Sequence, residues 1–142
     1  MATYKKNPPE ASILMESMRA MGYTFEAAIA DVLDNSLSAQ SRNIQLVFPT
    51  EPQDCYIAIC DDGQGMSNSQ LYDAMKYGCN VNEGNRTEYD LGRFGLGLKA
   101  ASLSQCKNLT VASKCKGSLS AYVWDIDFVK QIGRASCRER VF

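Results

Sequence analysis

Two glycine-rich segments limit how this chain can fold, because each calls for close approach of the backbone to something else. The first, Asp61-Asp62-Gly63-Gln64-Gly65-Met66, follows a short apolar run from Cys55 to Cys60. The second, Gly92-Arg93-Phe94-Gly95-Leu96-Gly97, opens a stretch with helical character that runs to Ser104. Upstream lies Asp31-Val32-Leu33-Asp34-Asn35, with Asp31 and Asn35 four positions apart. On a helix that spacing puts both side chains on one face. A carboxylate and an amide on a helix face, an acidic glycine turn after a strand and a glycine loop before a helix suit one task together. They can hold a metal–nucleotide complex against a sheet.

The remaining pattern predicts α+β architecture. Glu10 to Met21 carries Ile13, Leu14 and Met18 at helical spacing behind Pro8 and Pro9, and Gly22 ends it. Thr24 can cap a second helix reaching Gln40. Ile44 to Phe48 and Cys55 to Cys60 read as strands. Ser67-Asn68-Ser69-Gln70 has the form of a capping box and starts a helix to Tyr77. Asn108 to Ser113 and Ser120 to Ile126 read as strands joined at Gly117. Runs of helices and strands without strict alternation imply a two-layer sandwich, helices on one face of a mixed β-sheet.

Composition narrows the function by exclusion. A length of 142 residues favours one domain. The net charge of −1 provides no bulk attraction for nucleic acid, so any DNA contact needs a local patch or another region. No apolar run approaches a membrane span, and the Met1 to Lys6 start lacks the apolar core of a signal peptide. The six cysteines contain no CxxC pair and the chain has no His, which argues against zinc and for reduced thiols in a cytoplasmic protein.

Each motif has its own chemistry. An Asn oxygen can ligate a magnesium ion that bridges phosphates and keeps waters around itself. A carboxylate one turn earlier can orient or deprotonate an attacking water. Asp61, buried at a strand end, would accept a hydrogen bond from an adenine amino group, while Gly63 and Gly65 let the backbone approach the base. A calcium loop would need more oxygen ligands than Gln64, Met66 and Ser67 supply. Met66 suits an apolar pocket wall and ordinary core packing equally. Gly92, Arg93, Phe94, Gly95, Leu96 and Gly97 can offer free N–H groups to phosphate at a helix start, and Lys99 adds a mobile positive charge. Arg93 and Lys99 also read as helix-surface charges, Arg93 equally well. The segment is neither a P-loop, since Leu98 stands where Lys is needed, nor the Rossmann order.

From Ser12 to Phe128, the order and spacing of these motifs resemble the ATPase superfamily of gyrase, Hsp-type chaperones, histidine kinases and MutL, with its Bergerat fold. Ala28 to Ser36 and Gly92 to Ser102 look most like the MORC and MutL branches. The resemblance implies ATP and Mg2+ as ligands, with Asp31 as general base, Asn35 as metal ligand and Asp61 rather than Asp62 on adenine. The family usually has Glu where Asp31 stands, and Asp is shorter by roughly 1.5 Å. The polar residues Gly78 to Asp90 would form a lid over the triphosphate. ATP-dependent homodimerisation and a DNA or protein client, reached through regions beyond residue 130, are further implications. A late strand bearing a Thr near adenine, and a second domain donating a Lys to the γ-phosphate, would follow. Two other functions fit the motifs: a histidine-kinase catalytic domain and a non-hydrolysing ATP-gated interaction module.

Residues 131–142, QIGRASCRERVF, stand apart. They are Arg-rich and aperiodic, and they back-translate to a string that resembles a sequencing adapter. The alternative is a basic tail for nucleic acid. The domain is therefore expected within residues 1–130, with the tail outside the native fold.

Overall fold

The computed structural model describes residues 10–20, 22–51, 53, 55–76, 97–133 and 137–140. Helix α1 spans Ala11–Arg19 and α2 Phe25–Ser38. Strands β1, Ile44–Val47, and β2, Ala58–Asp61, form an antiparallel pair that runs from Ile44 opposite Asp61 to Val47 opposite Ala58. Helix α3 spans Asn68–Met75 and α4 Gly97–Gln105. Strands β3, Asn108–Cys115, and β4, Ser118–Asp125, form a hairpin. Helix α5, Ile126–Ile132, follows, and β5, Arg138–Arg140, pairs with the other edge of β4. The architecture is α+β, and the described strand pairings are all antiparallel, in two sheets.

Local chemistry accounts for the ends of these elements. Both halves of the expected capping box form on α3: Ser67 Oγ accepts from Gln70 N, and Gln70 Oε1 accepts from Ser67 N at 2.9 Å. The β3–β4 turn puts Lys116 at φ 48° and Gly117 at φ 83°, the two left-handed positions that a tight hairpin needs. Arg19 closes the far end of α4, its Nη1 donating to Leu103 O at 3.0 Å and Cys106 O at 2.6 Å. These carbonyls lie at a helix C-terminus, where a cation is favoured.

The core gathers Met15, Leu71, Met75, Leu103, Tyr122, Trp124, Ile126 and Val129 from α1, α3, α4, β4 and α5. Trp124 is 2% exposed, and its indole N–H donates to Met75 O at 2.8 Å. Ser120 to Trp124 form a continuous buried run, whereas β3 alternates along its length.

One expectation about the end of the chain needs correction. The strand expected through Ile126 stops at Asp125, whose carboxylate accepts from Phe128 N at 3.0 Å and so caps α5. Ile126 and Val129, three positions apart, face the core from that helix, a spacing too short to separate helix from strand by pattern. Within residues 131–142, β5 pairs with β4, with Val123 opposite Arg138 and Ala121 opposite Arg140.

Ser67→Ala removes an N-cap oxygen and should destabilise the fold by about 1 kcal/mol. Urea denaturation should show a lower midpoint with an unchanged slope; an unchanged midpoint would mean that α3 does not depend on its cap.

Candidate functional site

Helix α2 brings the first motif into place. Thr24 caps it, with Oγ1 accepting from Ala27 N at 3.2 Å. Ala28 and Ser36 are buried, Asp31 is half-buried and Asn35 is exposed. The Asn35 amide nitrogen donates to the Asp31 carbonyl at 3.0 Å. That bond takes the NH2 end of the side chain, so Oδ1 is the end suited to a cation. Asp31 in turn accepts from the Tyr23 hydroxyl, and this bond, with burial and the carboxylate charge, raises the phenol above its usual pKa. Tyr23 is held through its own carbonyl, which accepts from Gln105 Nε2 on α4 at 3.0 Å.

Asp61 is where α2 meets the glycine turn. Ser36 Oγ donates to Asp61 Oδ2 at 3.0 Å, and Gly63 N donates to Asp61 Oδ1 at 2.9 Å. Sequence reasoning missed Ser36 and Tyr23. Ser36 directly follows Asn35, and a hydroxyl there was the available signal. The expected burial of Asp61 is corrected: the residue is exposed at the end of β2. Asp62 has a different task. It accepts from Arg42 N at 2.7 Å, Asn43 N at 2.9 Å and Asn43 Nδ2 at 2.8 Å. The Asn43 and Arg42 donors hold its carboxyl below the usual range, and the bonds fasten the turn to the start of β1.

Each glycine of the turn meets a neighbour. A Cβ on Gly63 would lie 2.7 Å from Ala39 Cβ and 2.8 Å from Ala39 O. Gly65 has φ +68°, and a Cβ there would lie 2.1 Å from Lys114 O on β3. Gln64 N donates to Ala39 O at 3.0 Å and Met66 N to Ser113 Oγ at 2.7 Å. The turn is thus wedged between the end of α2 and β3. Met66 is half-buried and packs against the core, so of its two equal readings core packing is observed.

Gly92, Arg93, Phe94, Gly95 and Leu96 lie outside the described residues, as do Gly78 to Asp90. Gly97 begins α4, and among the described residues nothing lies within 4 Å of a Cβ placed there. Lys99 departs from the mobile charge expected of it. It is 1% exposed, and its ammonium donates to Ala74 O at 2.7 Å and to Lys76 O. The reason is that α3 ends without a glycine cap, in an extended Lys76, and its terminal carbonyls need donors from elsewhere.

Gly65→Ala should be far more costly than Gly117→Ala. Both positions carry positive φ, worth about 1–2 kcal/mol for a residue with a Cβ, but Gly117 has open space and Gly65 faces backbone. Thermal melts should show a small loss for Gly117→Ala and a loss of about 4 kcal/mol or more for Gly65→Ala. Equal losses would mean that β3 yields freely at Lys114.

A family model described as histidine kinase-, DNA gyrase B-, and HSP90-like ATPase matches residues 23–139. The ATPase morc-1 of Caenorhabditis elegans is 26% identical over 121 residues, which cover 83% of this chain and 14% of that protein. The chain therefore spans a small part of the length of the relative it matches.

Proposed function

Since the chain belongs to the histidine kinase-, DNA gyrase B-, and HSP90-like ATPase family, we propose that it binds Mg-ATP, with Asp61 reading adenine, Asn35 on magnesium and Asp31 activating water. The carrying observation is the pair of bonds at Asp61, one from Ser36 and one from Gly63 N. They aim the carboxylate while using one acceptor position on each oxygen. A carboxylate has about four such positions, so capacity remains for an adenine amino group. Among the described residues no group of three or more His, Cys, Asp or Glu side chains could hold a metal by itself. Asn35 Oδ1 suits magnesium, an ion that takes few protein ligands and keeps waters and substrate phosphates. When bound, the ion neutralises phosphate charge. Asp31 sits one turn before Asn35, and its carboxylate would take a proton from the attacking water while the Tyr23 hydroxyl orients it.

The finer parts of this reading rest on sequence and family. Gly92 to Gly97 would cradle the phosphates, with Arg93, Phe94 and Leu96 beside them. The polar stretch from Gly78 to Asp90 would close as a lid. ATP-dependent homodimerisation and slow hydrolysis would serve a DNA-repair, defence or chromatin-type role, reached through regions outside this chain. The free cysteines Cys55, Cys60, Cys106 and Cys115 support a cytoplasmic setting, and among the described residues no helix is long and apolar enough to cross a membrane. The ATP-binding unit of this reading is residues 1–130, and the composition of residues 131–142 supports an origin outside the natural gene. A second reading, an ATP-gated switch without hydrolysis, is favoured by the short reach of Asp31 and its bond to Tyr23.

Calorimetry on the full-length protein tests binding. Asp61→Asn turns one acceptor into a donor facing the base and should weaken Mg-ATP by about 1–3 kcal/mol. Asn35→Ala should weaken Mg-ATP but leave magnesium-free ATP nearly unchanged. Equal affinity across wild type and Asp61→Asn would remove adenine from Asp61.

Single-turnover hydrolysis separates the two readings. Asp31→Asn should keep ATP affinity while lowering turnover by about 10²–10⁴-fold, the usual contribution of a positioned base. A wild type without hydrolysis that gains it on Asp31→Glu would establish the switch instead.

A further inference from the structure

Lys99 is a buried cation that the proposed chemistry leaves without a task. It is the third residue of α4, whose first residue, Gly97, closes the second glycine segment. An exposed lysine there would be a natural phosphate ligand. Instead its ammonium lies at the C-terminal end of α3, on the carbonyls of Ala74 and Lys76. Between them, Met75 O accepts from Trp124 Nε1. Three consecutive carbonyls, the last two of α3 and that of its cap Lys76, are thus satisfied by side chains from α4 and β4.

We propose that Lys99 is a positioning residue of the nucleotide site, fixing the first turn of α4 by anchoring it to the C-terminus of α3, without touching phosphate. The proposal rests on the Mg-ATP reading above. Its physical basis is twofold. The first N–H groups of α4 have no partner within the helix, so they can serve an anion only where the turn is held. The last carbonyls of α3 form the negative end of that helix, within one lysine side chain of the same turn, and a buried ammonium cancels them. An apolar residue at position 99 would leave two carbonyls without these donors and a negative helix end near the phosphates. Arg19 anchors the opposite end of α4 in the same way, so the helix is fixed at both termini.

Two measurements on the full-length protein test this. Reductive methylation with formaldehyde, read by peptide mass spectrometry, should leave Lys99 unmodified with and without Mg-ADP, while exposed Lys107 and Lys116 are modified in both. Calorimetry of Lys99→Met should show Mg-ATP and Mg-ADP weakened by the same factor, about tenfold, as loss of a supporting partner costs a bound ion. Adenosine affinity should stay as in wild type, because the Asp61 turn does not depend on α4's first turn. Lys99→Gln keeps one donor group, should fall between, and serves where the Met variant does not fold.

Methylation of Lys99 in the nucleotide-free protein, with protection by Mg-ATP, would make it a phosphate ligand and overturn the proposal. So would a variant that melts earlier yet binds all three ligands like wild type, since Lys99 would then be purely structural. Failure of the wild type to bind Mg-ATP would instead overturn the nucleotide reading, and it is visible in the first titration.

Discussion

The hydrogen bond from Ser36 to Asp61 joins the two halves of the candidate site. Helix α2 and strand β2 are separate elements, and the shared contact at Asp61 sets where Asn35 and Asp31 stand relative to the glycine turn. Gly63 N completes the pairing from the turn itself. A carboxylate bonded on both oxygens has one orientation, and an exposed carboxylate needs that constraint most, since water offers it many alternatives.

Around this join the backbone is locked by close approach. Gly65 touches Lys114, Gly63 touches Ala39, and Ser113 holds Met66 N. Asp62 ties the same turn to Arg42 and Asn43. Adjacent acidic residues therefore divide the work: Asp62 spends its acceptors on the fold, and Asp61 keeps acceptor capacity. On the opposite side, α4 is fixed at both helix ends by buried or half-buried cations from α1 and from its own first turn. Few side chains thus position the glycine turn and α4.

Lys99 and Arg19 also show how a small domain can terminate short helices. Neither α3 nor α4 ends on a glycine in the left-handed region. Their last carbonyls are satisfied by distant donors, which couples each helix end to another layer of the fold. Such ends cost nothing extra in local backbone strain, but they make secondary structure depend on tertiary contacts.

The local features were legible in the sequence. Ser67 and Gln70 announce the capping box, Thr24 the start of α2, and Asp31 with Asn35 a shared helix face, because each depends on neighbours within about one helical turn. The family resemblance, not local chemistry, assigned adenine to Asp61 rather than Asp62, and the three bonds that Asp62 accepts from Arg42 and Asn43 were not legible in the sequence. Tertiary structure alone decided the rest. Lys99 beside a glycine loop reads as a mobile charge, and only the nearness of α3 makes it a buried anchor. Ser36 looks like any helical serine until β2 delivers a carboxylate. Ile126 to Ile132 is too short for its period to distinguish helix from strand. For Lys99 and Ser36 the physical reason is the same: a side chain's task depends on the partners it meets, and those partners are far away in the chain.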